Sequence, residues 1–147
     1  MSNALIVYGS TTGNTESVAD IISTDLSKAD YTIKKINVSD VGVEILNESF
    51  DLYLLGSSTW GDDEIEFQED FAPFYENLNG ELNLSGKKFA VFGCGDSSYE
   101  YFCGAVDALE ERLAKLGARL VCESLRIDGE PEESEINEWT QDVIDAA

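Results

Sequence analysis

The chain predicts an α/β fold, a parallel sheet sandwiched between helices, and three observations carry that prediction. Short, wholly apolar runs recur along its 147 residues, stripes with helical spacing lie between them, and loops rich in Gly, Ser, Thr and aromatics follow three of the runs. A strand that is apolar at every position has no solvent face, which is the pattern of a parallel sheet covered on both sides. Alternation of strands with helices about five times argues for an α/β sandwich.

In chain order, residues 4–8 (Ala-Leu-Ile-Val-Tyr) read as a buried strand, and Val18, Ile21, Ile22 and Leu26 as one face of the following helix. Residues 31–38 alternate enough for a second strand, and 40–48 form a weak helical or loop connection. Residues 52–55 are a second fully apolar run. Phe67, Phe71, Phe74 and Leu78 then recur at four, three and four, a helical stripe that Pro73 is expected to kink or split. Residues 89–92 give a third buried strand. Val106, Leu109, Leu113 and Leu116 mark a helix that ends at Gly117, a C-cap residue type. Residues 120–127 read as a last strand with Cys122 in the core, and Ile136, Trp139 and Val143 as a C-terminal helix. Right-handed crossovers place the C-terminal ends of all strands on one edge, where such sheets bind ligands. The loops at 9–15, 57–64 and 93–103 should therefore converge.

The first of these loops, Gly9-Ser10-Thr11-Thr12-Gly13-Asn14-Thr15, joins a strand to a helix N-terminus, where backbone N–H groups point at an anion. The first basic residue of the chain is Lys28. A triphosphate loop would need Gly-Lys at its end, whereas here Asn14 follows Gly13, and the dinucleotide pattern G-x-G-x-x-G is missing. A single phosphate monoester fits better. Each hydrogen bond to a charged group contributes roughly 1.5–3 kcal/mol, and the helix end about 0.3–2 kcal/mol. Several such contacts can hold a dianion without a cation.

At this length one domain over residues 1–147 is expected, and 43% apolar residues are enough for a substantial core. Thirty acidic against nine basic residues give a formal charge of −21, a field that repels nucleic acid and anionic membranes and attracts a basic protein partner. No apolar run is long enough to span a membrane and no signal pattern opens the chain, so a cytoplasmic protein is expected. Three cysteines, Cys94, Cys103 and Cys122, form no Cys-x-x-Cys pair and are too few for a four-cysteine cluster. The absence of histidine excludes Ser-His-Asp and Cys-His catalysis and histidine metal ligation. No metal site is expected.

Three segments in register, 8–16 (YGSTTGNTE), 58–62 (STWGD) and 92–103 (FGCGDSSYEYFC), resemble the flavodoxins, most closely the short-chain type of sulphate-reducing bacteria. The resemblance implies a three-layer sandwich with a five-stranded parallel sheet in the order 2-1-3-4-5 and non-covalently bound FMN. It implies that Ser10, Thr11, Thr12, Gly13, Asn14 and Thr15 hold the phosphate, with Ser58 closing over it. Thr59, Cys94, Gly95, Asp96 and Cys103 would address the ribityl chain and the isoalloxazine edge, several of them through backbone groups. Trp60 and Tyr99 would cover the two ring faces, with Tyr101 a nearby competitor and Phe102 completing the third loop; aromatic partners suit a flat apolar ring. The Gly61–Asp62 peptide would form a turn able to flip, Gly and Asp both tolerating φ > 0, so that its carbonyl accepts from N5 of the neutral semiquinone. An anionic hydroquinone in so acidic a protein implies a low second potential.

The resulting expectation is a low-potential one-electron carrier that cycles FMN through oxidised, semiquinone and hydroquinone states, and not an enzyme. Its implied partners are basic-patched oxidoreductases, cytochromes or hydrogenase-linked donors, met as a monomer through an acidic rim at 62–70 with Glu100. An FMN-dependent NAD(P)H:quinone-type reductase is the alternative, and the chain shows no nicotinamide-nucleotide motif for it. A receiver-type domain would need an acidic pair after the first strand, where this chain has Ser10 and Thr11. Cys94 and Cys103 are expected to pack or to act through their backbone rather than as redox thiols.

Overall fold

The first apolar run becomes β1 (Ser2–Gly9), and every residue from Ala4 onward in it is buried. The computed structural model describes residues 2–9, 14–57, 59–60, 66–67, 71–78, 84–95, 104–128 and 132–147. After β1 come α1 (Asn14–Lys28), β2 (Tyr31–Asn37), two 3-10 turns at Val38–Asp40 and Val43–Asn47, and β3 (Leu52–Ser57). A two-residue hairpin, β4 (Thr59–Trp60) with β5 (Glu66–Phe67), precedes α2 (Phe71–Glu76). The chain continues through β6 (Lys88–Gly95), α3 (Gly104–Lys115), β7 (Arg119–Leu120), β8 (Leu125–Asp128) and α4 (Glu133–Ala146).

The main sheet runs β2-β1-β3-β6-β7, with β8 pairing β6 beyond β7, and all its pairings are parallel. Counting β7 and β8 as two pieces of one strand, this is the order 2-1-3-4-5. Successive side chains point to opposite faces, so each central strand feeds two cores. Ala4, Ile6, Tyr8, Leu52, Leu54, Ala90, Phe92 and Cys94 pack with Val18, Ile22 and Leu26 of α1 and Ile136, Trp139 and Val143 of α4. Leu5, Val7, Tyr53, Leu55, Phe89 and Val91 pack on the other side with Phe71 and Phe74 of α2 and Val106, Leu109 and Leu113 of α3. Each fully buried Leu, Ile or Phe contributes roughly 1.5–3 kcal/mol relative to exposure.

The helix α3 stops where the sequence places its stop. Gly117 has φ +88°, Gly117 N–H donates to the Ala114 carbonyl (3.1 Å) and Ala118 N–H to the Leu113 carbonyl (3.1 Å). That pair of bonds is a Schellman cap, and its positive φ suits a residue without Cβ.

Two elements differ from expectation. The stripe Phe67, Phe71, Phe74 and Leu78 is not one helix: Phe67 lies in β5 opposite Thr59, and α2 begins at Phe71. Pro73 then falls in the first turn, where N–H groups have no partner within the helix, and it neither kinks nor splits anything. The last strand is broken. Phe89 pairs with Leu120 and Phe92 with Leu125, so the span of 120 to 125 opposes that of 89 to 92 and two residues are extra. The break behaves as an enlarged bulge, and Trp139 Nε1 donates to the Glu123 carbonyl (2.8 Å) within it. Cys122 consequently sits half-buried in the break rather than in a strand of the core.

Candidate functional site at the C-terminal edge of the sheet

Parallel pairing brings the ends of the central strands side by side. Gly9 is in register with Ser57, Gly56 with Phe92, and Gly95 with Asp128. The loops at 9–15, 57–64 and 93–103 therefore leave from one edge, as the apolar runs predict. On that edge α1 starts at Asn14, so the positive end of its dipole lies where an anion would be favoured. Thr15, in its first turn, is fully buried.

Thr15 and Cys94 share a side-chain hydrogen bond, which ties the start of α1 to the end of β6. Burial pushes the Cys94 thiol up to about 11 despite the opposing effect of that bond. A thiol held so far above neutral pH is protonated and a poor nucleophile, in line with a packing role. Burial also raises the Tyr8 phenol, and Glu16, Asp20 and Asp40 raise it further, outweighing Lys35. The end of β1 thus lies in a net negative surround.

The hairpin β4–β5 pairs Thr59 with Phe67 and Trp60 with Glu66, and it lies beside β6 and α3. The start of α3 is anchored from the sheet: Arg126 of β8 donates to the Asp107 carboxylate and to Glu110 Oε1 (2.7 Å), and Ser124 Oγ donates to Glu110 Oε2 (2.8 Å). Sequence reasoning did not single out Arg126, and its only signal there is a cation inside the last strand-like run. Gly93, also unassigned in the sequence, approaches the backbone of β3 closely.

Of the sequence-predicted site residues, Thr15, Cys94, Gly95, Asn14, Thr59 and Trp60 belong to elements that end or begin at this edge. Ser10, Thr11, Thr12, Gly13, Ser58, Gly61, Asp62, Asp96, Tyr99, Tyr101, Phe102 and Cys103 lie outside the described residues. Among the described residues no group of three or more Cys, Asp or Glu could hold a metal.

Residues 6–139 match the protein family described as Flavodoxin. The chain belongs to the flavodoxin family. It is 51% identical over 145 residues to the flavodoxin of Maridesulfovibrio salexigens, covering 99% of each chain. It is 52% identical over 149 residues to the flavodoxin of Nitratidesulfovibrio vulgaris (strain DSM 19637 / Miyazaki F), again over 99% of each. Among solved structures, oxidised Flavodoxin 2 from Bacillus cereus superposes with a TM-score of 0.89 at 38% identity, covering 98% of this chain and 99% of that one. Flavodoxins bind FMN and carry electrons, and this flavodoxin is accordingly an FMN-binding electron carrier. The donor set suits that cofactor. A helix N-terminus and a buried hydroxyl with no cation in the loop match a phosphate dianion, and glycine at 93 leaves backbone close to backbone beside the hairpin.

Proposed function

We propose that this flavodoxin is a low-potential one-electron carrier, a single domain over residues 1–147 that works as a cytoplasmic monomer and as a redox partner of enzymes. The observation that carries the reading is the convergence of Gly9, Ser57 and Gly95 on the edge where α1 begins. When bound, FMN supplies reversible one-electron chemistry at its isoalloxazine ring.

In this reading Ser10, Thr11, Thr12, Gly13, Asn14, Thr15 and Ser58 hold the phosphate by N–H and O–H donors. Thr59, Cys94, Gly95, Asp96 and Cys103 position the ribityl chain and the ring edge. Trp60 and Tyr99, with Tyr101 and Phe102 nearby, exclude water from the ring faces. The Gly61–Asp62 peptide would turn its carbonyl to accept a hydrogen bond from a protonated flavin N5. The carboxylates of Asp62, Asp63, Glu64, Glu66 and Asp96 oppose added negative charge, each by roughly 1–2 kcal/mol at ~10 Å and an effective dielectric constant of ~20 before screening.

Stepwise dithionite reduction of the FMN-loaded protein, followed by visible spectroscopy, tests the redox part. Two separated one-electron steps are expected, and the separation should shrink in Gly61→Ala. A single two-electron transition in the wild type would remove the proposal. The partner part predicts that electron transfer to a basic redox protein slows as ionic strength rises, because steering contributes roughly 10–10³ in association rate. Rates independent of salt would argue against an acidic docking rim.

A further inference from the structure

Gly93 lies near the end of β6, two residues before Gly95. A β-carbon built there would overlap the Ser57 carbonyl oxygen and approach Val106 Cγ2 to 2.6 Å. The two neighbours differ in kind. Val106 is a buried side chain at the start of α3, and a side chain can turn or be shortened. Ser57 is the last residue of β3, buried, with its register held by Gly9. Its carbonyl can move only with the strand.

The register of β3 with β6 sets Tyr53 beside Phe89 and Gly56 beside Phe92. At the next position the Ser57 carbonyl stands over Gly93, on the α3 side, because the missing β-carbon points at both it and Val106. Two residues later the chain enters the Thr59–Trp60 strand, which lies beside β6 and α3.

We propose that Gly93 is a positioning residue of the flavin site. By carrying no side chain it lets the chain leaving β3 cross over β6, and this crossing sets where the Thr59–Trp60 strand stands at the cofactor edge. The inference rests on the reading of that edge as the FMN site. It predicts that a methyl group at position 93 displaces the Ser57 backbone, and with it Trp60, whatever it does to the core.

Gly56 supplies a control in the same pair of strands. A β-carbon there would overlap the Phe92 ring, which packs on the opposite face against Trp139 at a centroid distance of 6.3 Å. Gly56→Ala therefore strains the α1/α4 core and leaves the crossing intact. Both variants should unfold at lower urea concentration. FMN affinity, measured from the recovery of flavin fluorescence on dilution of the holoprotein, should fall about tenfold or more in Gly93→Ala and less than about threefold in Gly56→Ala. The first reduction potential should shift only in Gly93→Ala.

A folded Gly93→Ala with wild-type affinity and potential would overturn the proposal. So would a Gly56→Ala that loses FMN as strongly. Should Gly93→Ala not accumulate, Gly93→Ala/Val106→Ala relieves the Cγ2 contact and keeps the carbonyl one. It should bind FMN more weakly than Val106→Ala alone, and equal affinities would overturn the proposal. Wild-type protein that binds no FMN would instead sink the reading of the edge itself, a failure visible before any variant is made.

Discussion

At the edge where β3, β6 and β7 begin, side chains close on the backbone. Lys87 Nζ donates to the Leu46 carbonyl (2.5 Å) and to the Tyr53 hydroxyl (3.2 Å), Asn3 N–H donates to Asp51 Oδ2 (2.8 Å), and Arg119 N–H donates to the Lys87 carbonyl (2.8 Å). Six of the nine cations stand at this end: Lys28 closes α1, Arg112 and Lys115 lie in the last turn of α3, and Lys87, Lys88 and Arg119 precede or open strands. Cations at helix C-termini gain about 0.3–1 kcal/mol each from the dipole. At the other edge, the loops 9–15, 57–64 and 93–103 contain no Lys or Arg at all. Positive charge is thus concentrated where helices end, with Arg126 beside the start of α3 as the exception, and the three loops themselves carry hydroxyls and carboxylates. Such an edge can bind a phosphate through dipoles while staying negative toward an electron arriving at the ring. The contacts at the first end belong to the scaffold, and the loops leave from the other end, the usual division between scaffold and functional loops.

Cys94 and Tyr53, one from each end, let that division be broken or sharpened. The larger effect belongs to Cys94. Its thiol is held at about 11 against an ordinary 9.0, with burial the principal cause. The folded value is the higher one, so the native thiol keeps its proton where the unfolded thiol has lost it. Its contribution is complete below about pH 9 and declines as the pH climbs to about 11, by about 3 kcal/mol in all. Urea unfolding in saturating FMN should show this alkaline loss, and Cys94→Ala should flatten the slope between those values. A slope unchanged by the substitution would mean that the cofactor edge opens to water and ionises the thiol without unfolding.

The parts legible in the sequence were those set by local physics. Strands covered on both faces leave no alternation to hide, so β1, β3 and β6 announce themselves. Gly117 could be read as a helix stop because a single backbone conformation demands it. Parts that depend on contact across the fold stayed hidden. The Phe67 stripe imitates a helix because its partner is Thr59, eight residues earlier, and spacing within one window cannot register a hairpin. The break at 121–124 needs Trp139 to satisfy the Glu123 carbonyl, and nothing near Cys122 signals it. Gly93 looked like one glycine in a Gly-Cys-Gly loop. Its consequence appears only when Ser57 is seen above it.

The smaller prediction concerns the scaffold edge. The Tyr53 hydroxyl accepts from Phe50 N–H (3.0 Å) and from Lys87, and donates to the Glu48 carbonyl. Its ring stacks on Phe89 at 4.8 Å. Tyr53→Phe keeps the stacking and removes the polar hub, leaving the Phe50 N–H and the Glu48 carbonyl to find other partners. Because these groups are only part-buried, the loss should be about 1–2 kcal/mol in urea unfolding, toward the low end for an unsatisfied group. FMN affinity should not move, since Tyr53 lies at the start of the strand that Ser57 closes. If the variant loses FMN while the unfolding midpoint holds, the two edges are mechanically coupled through β3, and the separation of scaffold from site fails at the strand that joins them.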